Sequence, residues 1–189
     1  MATWLITGAG GWLGGRVLEA LPERLAGGDR VVVLGRRRPE GLQGGLFVAA
    51  DLDRPDELNR AVREIAPDVV IHAAGRTPPA SDASLFEANF WGVDRLLSAL
   101  HALDRPVRVV VVGSAAEYGP VAAADLPVAE EQPLRPTTAY GRSKMMATAS
   151  ALARRGMLEV VVGRVFNLVG AGMPESLAFG RFAAQLAAP

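Results

Sequence analysis

The sequence predicts a doubly wound α/β domain with a mostly parallel sheet of six strands in the order 3-2-1-4-5-6. Short, almost continuously apolar runs such as Val31-Val32-Val33-Leu34 and Val109-Val110-Val111-Val112 have the pattern of strands buried on both faces of a parallel sheet. Longer segments of helical period lie between such runs, and that alternation builds right-handed βαβ units. A third observation marks the ligand edge. The stretch ITGAGGWLGG, residues 6–15, puts five glycines into ten positions directly behind the apolar opening Trp4-Leu5-Ile6. A glycine inside an element costs roughly 0.5–1 kcal/mol relative to alanine, so the bare backbone serves either a phosphate or a tight turn.

Taken in order, strands are expected at 2–7, 30–34, 46–50, 68–73, 107–113 and 159–166, each β-branched and bounded by turn residues. Helices are expected at 12–25, 55–66, 84–103 and 137–156. The second begins at Pro55 with Asp56 and Glu57 behind it, a proline in the first turn followed by acids. Residues 119–136 form the one long loop, and loops of that length in compact domains tend to be functional. There is no internal repeat and no low-complexity linker.

Composition excludes whole classes of function. Twenty basic residues balance twenty acidic ones, so no global field draws the chain to nucleic acid or to an anionic membrane. With no cysteine there is no disulfide, thiolate nucleophile or cysteine zinc site, which fits a cytoplasmic protein. His72 and His101 are the only imidazoles, too few for a metal cluster, so no metal is expected. No apolar run approaches the roughly 20 residues of a membrane helix.

Strand, glycine turn and helix in succession form the context in which a dinucleotide binds. Gly8 permits the sharp turn, Gly11 lets a pyrophosphate approach the backbone, and Gly14 lets the helix lie close on the strand. The helix N-terminus, beginning with Trp12 and Leu13, then offers free N–H groups and a positive dipole end. At the end of the second strand an NAD site usually places a carboxylate, whereas an NADP site offers arginine to the 2′-phosphate. Here Val31–Leu34 runs into Gly35-Arg36-Arg37-Arg38. Arg36 and Arg37 can grip a phosphate bidentately, which favours NADP(H) over NAD(H); the alternative is a solvated loop.

Tyr140-Gly141-Arg142-Ser143-Lys144 lies on a predicted helix, with phenol and ammonium one turn apart on one face. A neighbouring cation favours the phenolate, so Tyr140 is a candidate proton donor, with Lys144 tuning it and holding ribose hydroxyls. Ser114, at the end of the fifth strand, supplies a hydroxyl to bind and polarise a substrate oxygen.

Together these residues resemble the short-chain dehydrogenase/reductase superfamily in its extended branch, the NAD-dependent epimerase/dehydratase family, whose members carry a Rossmann domain and modify nucleotide sugars. The resemblance rests on Thr7–Gly14, Asp51-Leu52, His72-Ala73-Ala74-Gly75, Asn89, Ser114, Tyr140/Lys144 and Arg164-Val165-Phe166-Asn167, where the family often has proline in place of Val165. It implies that Asp51 and Leu52 contact adenine, that Ala73, Ala74 and Gly75 line the cofactor, and that Asn167 contacts the sugar nucleotide. On residue type alone Asp51 serves equally to cap the next helix. His72 reads as a hydrogen-bonded strand-end residue rather than a base, Asn89 as a bridge between backbone groups, and His101 and the rings of Trp4 and Trp12 as packing or surface.

Sugar-nucleotide dehydratases of this branch carry an acid pair just after the catalytic hydroxyl, where this chain has Ala115 and Ala116. Methyl groups do no acid–base work. The segments 113–119, 130–144 and 164–172 look most like 4-ketoreductases of GDP-6-deoxy-4-ketohexoses. The expected protein is thus a cytoplasmic, homodimeric NADP-dependent oxidoreductase acting on an NDP-4-keto-6-deoxyhexose. An NDP-sugar 4-epimerase and a non-enzymatic NADP-binding module are the alternatives. Members continue into a C-terminal substrate domain, so residues 1–189 are expected to be the dinucleotide domain, with 172–189 the start of a truncated substrate-binding part.

Overall fold

Six strands, β1 (Thr3–Thr7), β2 (Arg30–Gly35), β3 (Leu46–Ala49), β4 (Val69–His72), β5 (Arg108–Ser114) and β6 (Glu159–Val165), form one sheet in the order β3-β2-β1-β4-β5-β6. Every neighbouring pair is parallel. The computed structural model describes residues 1–40, 42 and 45–187. The helices are α1 (Trp12–Ala20), α2 (Pro55–Ile65), α3 (Asp82–Phe86), α4 (Gly92–His101), α5 (Ala139–Ala153) and α6 (Ala178–Ala187). Strand order is as the sequence predicts, and the strand ends fall within one residue of expectation.

The register explains why the strands read as unbroken apolar runs. Val32, Leu5, Val70, Val109 and Val160 stand side by side across five strands, all buried. Onto that face pack Leu58 and Val62 of α2, Leu96 and Leu100 of α4, and Ala147 and Ala151 of α5. The opposite face buries Ile6 and Val33 beneath Leu18 of α1 and Leu21. Further along that face the cover ends, and Val161 of β6 is 53% exposed.

Two expected helices are reshaped. The first stops at Ala20 and tightens into a 3₁₀ turn over Leu21–Arg24, because Pro22 lacks an N–H and its ring crowds the preceding turn. The third is broken by a π-helical turn, Glu87–Trp91, between α3 and α4; such bulges often mark functional positions, and this one carries the buried Asn89. Helix α6 has no counterpart among the helices expected from sequence. Its Phe179, Phe182 and Leu186 recur at helical spacing yet remain exposed. The segment 172–189 ends in Ala188 and Pro189, which lie outside the described residues. Among the described residues no helix is long and apolar enough to cross a membrane.

Candidate active site

The glycine turn is shaped by contacts that admit no side chain. Gly8 has φ +79°, and a Cβ there would run into the Ala73 and Ala74 main chain. At Gly14 a Cβ would strike the Gly8 carbonyl oxygen. Gly11 donates to Gly8 O at 2.9 Å, and Gly15 donates to Gly11 O at 2.8 Å as the first bond of α1. The N–H groups of Trp12, Leu13 and Gly14 therefore have no partner within the helix. Its N-cap is Gly11, which has no side chain to satisfy them, and the positive end of α1 is left for an anion.

A cleft of about 840 Å³ opens from this turn along the C-terminal edge of the sheet. It is lined by Gly8, Gly11 and Trp12, by Arg36 and Arg37, by Asp51 and Leu52, and by Ala73, Ala74 and Gly75. Most residues expected from sequence to hold the cofactor thus converge on one surface, whereas Leu13, Gly14, Tyr140 and Lys144 do not line it; Gly14 is buried and shapes the turn. The Trp12 indole does more than pack. Its Nε1 donates to Ala171 O at 3.1 Å, tying the segment after β6 to the glycine turn.

Arg36, Arg37 and Arg38 are exposed and line the cleft. Asp51 does not cap α2, whose N-cap is Arg54; its Oδ1 instead accepts from the Asp53 N–H at 3.1 Å. Asp53 is raised above its ordinary carboxylate range by burial and then by the charges of Asp51 and Glu87, against the pull of Arg95 and Arg36.

Beyond β4, Asn89 does what its bridging reading requires. Its Oδ1 accepts from Arg76 N at 2.7 Å, and its Nδ2 donates to Arg76 O at 2.9 Å and to Ser143 Oγ at 3.0 Å. One buried amide therefore holds the chain behind the cleft against α5. His72 is also a strand-end packing residue. Its Nδ1 lies 2.7 Å from Thr7 Oγ1, and burial followed by the nearby Lys144 charge pushes its pKa down to about 3. A ring so reluctant to take a proton is no general base.

Ser114, Tyr140 and Lys144 gather at the ends of β5 and α5, outside the lining of the cleft itself. Ser114 Oγ accepts from the Ala116 N–H at 3.2 Å, which leaves its own O–H free to donate elsewhere. Helix α5 starts at Thr138, whose Oγ1 accepts from Gly141 N at 3.0 Å. Gly141 is the close-approach residue: a Cβ there would strike the Ala116 carbonyl oxygen and stand 2.9 Å from Pro136 Cβ. This brings the first turn of α5 against the turn that follows Ser114. Tyr140 is half-buried in that first turn. One turn on, Lys144 is 6% exposed and donates to Val112 O at 2.5 Å. Burial pushes its pKa down to about 8, with Glu117 opposing the shift.

Asn167 is exposed just beyond β6 and does not line the cleft. The residue that sequence reasoning missed is Glu117, fully buried under Ser114. Its signal was present, since Ser114-Ala115-Ala116-Glu117 has capping-box spacing, and the reciprocal bonds form.

Residues 4–188 match the model of the NAD dependent epimerase/dehydratase family. The chain is 35% identical over 185 residues to dTDP-6-deoxy-L-talose 4-dehydrogenase (NAD(P)(+)) of Kitasatospora kifunensis, covering 96% of this chain and 57% of that protein. It is 37% identical over 144 residues to GDP-6-deoxy-D-mannose reductase of Pseudomonas aeruginosa, covering 72% of this chain and 47% of that protein. The structure of RMD from Pseudomonas aeruginosa complexed with NADPH superposes with a TM-score of 0.80 at 30% identity, covering 98% of this chain and 61% of that one. The chain thus spans about half the length of the curated relatives it matches. It belongs to the NAD dependent epimerase/dehydratase family.

Proposed function

We propose that this member of the NAD dependent epimerase/dehydratase family is an NADP-dependent ketoreductase of nucleoside-diphosphate sugars, reducing C4 of an NDP-4-keto-6-deoxyhexose. The observation that carries the reading is the run Arg36-Arg37-Arg38 on the cleft wall, directly after β2, with Glu40 the first acid beyond it. Guanidinium groups there suit a 2′-phosphate, and an exchanging NADPH suits net reduction, whereas a 4-epimerase recycles one tightly held NAD. The glycine turn, with its unpartnered N–H groups and its bare approach, fits the pyrophosphate. Asp51 and Leu52 fit the adenine, and Ala73, Ala74 and Gly75 fit the middle of the cofactor.

When bound, the cofactor supplies the hydride. Ser114 donates its free O–H to the carbonyl oxygen and holds it while negative charge grows there. Tyr140 delivers a proton to that oxygen. Lys144, buried beside the phenol's helix turn, holds its cationic head against Val112 O, favours the phenolate that Tyr140 leaves behind and orients ribose hydroxyls. Asn167 contacts the diphosphate of the sugar nucleotide. Ala115 and Ala116 offer no acid or base for water loss, so reduction rather than dehydration fits the site. A cytoplasmic homodimer is the setting this reading takes.

The test supplies the intact protein with NADPH and a panel of 4-keto-6-deoxy sugar nucleotides, following absorbance loss. NADPH oxidation is expected, with Tyr140→Phe about 10²–10⁴-fold slower. Removing both Arg36 and Arg37 is expected to lower NADPH affinity roughly ten- to a hundred-fold while leaving NADH affinity in place. Interconversion of UDP-glucose and UDP-galactose without NADPH oxidation would replace the reductase by an epimerase. Tight NADPH binding with no turnover of any kind would replace the enzyme by a binding module.

A further inference from the structure

Glu117 is a fully buried carboxylate to which no step above assigns a role. Its two oxygens grip two different parts of the fold. Oε1 accepts from the Ser114 N–H at 2.8 Å, and Oε2 accepts from Arg164 Nε at 2.9 Å. Arg164 carries the connection further, donating through Nη1 to the Tyr118 hydroxyl at 3.1 Å and to the Glu130 main-chain oxygen at 3.4 Å. Its guanidinium also lies 5.1 Å from the centre of the Tyr118 ring. The space for this pair is made by Gly113, where a Cβ would stand 2.7 Å from Glu117 Oε1 and 3.2 Å from Arg164 Cγ.

Taking two ions out of water costs several kcal/mol each, and apolar replacements of similar volume are often as stable or more so. Fold stability is therefore a poor reason for setting a fully buried glutamate against a partly buried arginine, 18% exposed, directly beneath Ser114. Geometry is a better one. The pair ties the turn after β5 to β6, Glu117 and Arg164 lying 47 residues apart in the chain, and through Glu130 to the 119–136 loop.

We propose that Glu117 is a positioning residue for carbonyl reduction: held by Arg164, it fixes the Ser114 main chain so that Ser114 Oγ stands where the substrate oxygen arrives. This rests on the ketoreductase reading. Ser114 Oγ is itself engaged as an acceptor by the Ala116 N–H, which leaves its own hydrogen available to donate to a substrate oxygen. Glu117 touches neither substrate nor cofactor and acts through Ser114.

The experiment compares E117A and E117Q with wild type in the intact protein. Three readouts are taken: kcat on a 4-keto sugar nucleotide, NADPH affinity by fluorescence titration, and amide hydrogen exchange. For E117A, kcat is expected to fall on the order of 10²-fold, the scale set by a small misplacement at a reaction centre, while NADPH affinity holds. E117Q keeps an amide oxygen for the Ser114 N–H and is expected to recover kcat to within about ten-fold of wild type. Exchange at Ser114 and across residues 119–136 is expected to quicken in E117A, with residues 8–14 unchanged. An E117A kcat close to wild type, a parallel loss of NADPH affinity, or an E117Q no better than E117A overturns the proposal. Should E117A fail to fold, E117L takes its place, filling the site without an acceptor for the Ser114 N–H: a kcat lower by on the order of 10²-fold at unchanged NADPH affinity supports the role, and an unchanged kcat, or a joint loss of both, overturns it. If wild type reduces no sugar nucleotide, the ketoreductase reading fails on its own. Glu117 is then judged by Ser114 exchange, faster in E117A if the grip is real and equal to wild type if it is not.

Discussion

At the β1–β2 end of the sheet the cleft around the turn is walled by main chain, the glycine turn and the open N-terminus of α1, with the side chains of three exposed arginines beyond it. At the β5–β6 end the working surface is side chain, with Ser114, Lys144, Glu117 and Arg164 interlocked and Lys144 and Glu117 almost wholly out of water. Under the proposed function the difference follows from what each end would do. A pyrophosphate is bound by many weak, convergent N–H groups, which requires side chains to be absent. Proton delivery requires single groups at fixed places with shifted affinities for protons, which requires side chains to be buried and braced.

Substitutions at glycine separate these two logics most sharply. Gly14→Ala places a methyl group on the Gly8 carbonyl, and opening the turn to admit it is expected to cost about 3 kcal/mol and most of the dinucleotide affinity. Gly10, four positions earlier in the same turn, would carry a methyl group with nothing within 4 Å of it, so Gly10→Ala is expected to shift stability by no more than about 0.5 kcal/mol. Urea unfolding and NADPH titration of the two variants check this; equal losses in both would mean that the turn is not shaped by those contacts.

The joint between the two ends is Asn89, which holds Arg76 on the cofactor side and Ser143 on the catalytic helix. Asn89→Ala leaves the Arg76 N–H and C=O at the cleft edge and the buried Ser143 Oγ without this partner, with an expected cost of about 1–3 kcal/mol in the free energy of unfolding. Both NADPH affinity and kcat should fall together, unlike the split expected for E117A. A loss confined to one of them would show that the two ends are independent.

The pH dependence of stability sharpens the comparison from the side of burial. His72 stays neutral in the folded protein down to about pH 3, whereas an unfolded imidazole takes its proton near pH 6.5. Between those values the unfolded chain binds more protons, so stability is lost as pH falls. At pH 5 the His72 contribution amounts to about 2 kcal/mol relative to pH 7. Denaturant midpoints at both pH values should therefore drop less for His72→Gln than for wild type. Parallel drops would mean that His72 is reached by protons in the folded state.

How much of this was legible in the chain itself differs between the two ends. The glycine turn, the arginine run and the six strands are local patterns, each written in fewer than a dozen consecutive residues, and each was found with its place in the fold. The Tyr140/Lys144 pair was legible for the same reason, one helical turn being a local relation. The break of the third helix was not, because apolar periodicity through 84–103 runs on whether the turn at Glu87–Trp91 is α or π. Helix α6 was missed because its apolar side chains meet no core that would have given its pattern a meaning.

By itself the sequence determined the parallel order of the sheet, the edge at which the glycine turn opens and the arginine run beside it, because the strand pattern, the glycine-rich turn and the end of β2 are each written in near neighbours. Only the tertiary structure decided that Asp51 closes a turn instead of capping α2, that Gly14 supports the cleft from behind, and that Glu117 and Arg164 form a pair under Ser114. The last of these, like the bond from Asn89 to Ser143, joins residues that the chain brings together only on folding, 47 positions apart for Glu117 and Arg164 and 54 for Asn89 and Ser143. A charged or amide side chain carries no mark in sequence of which distant partner will take it out of water; the sheet order and the approach of α5 choose that partner.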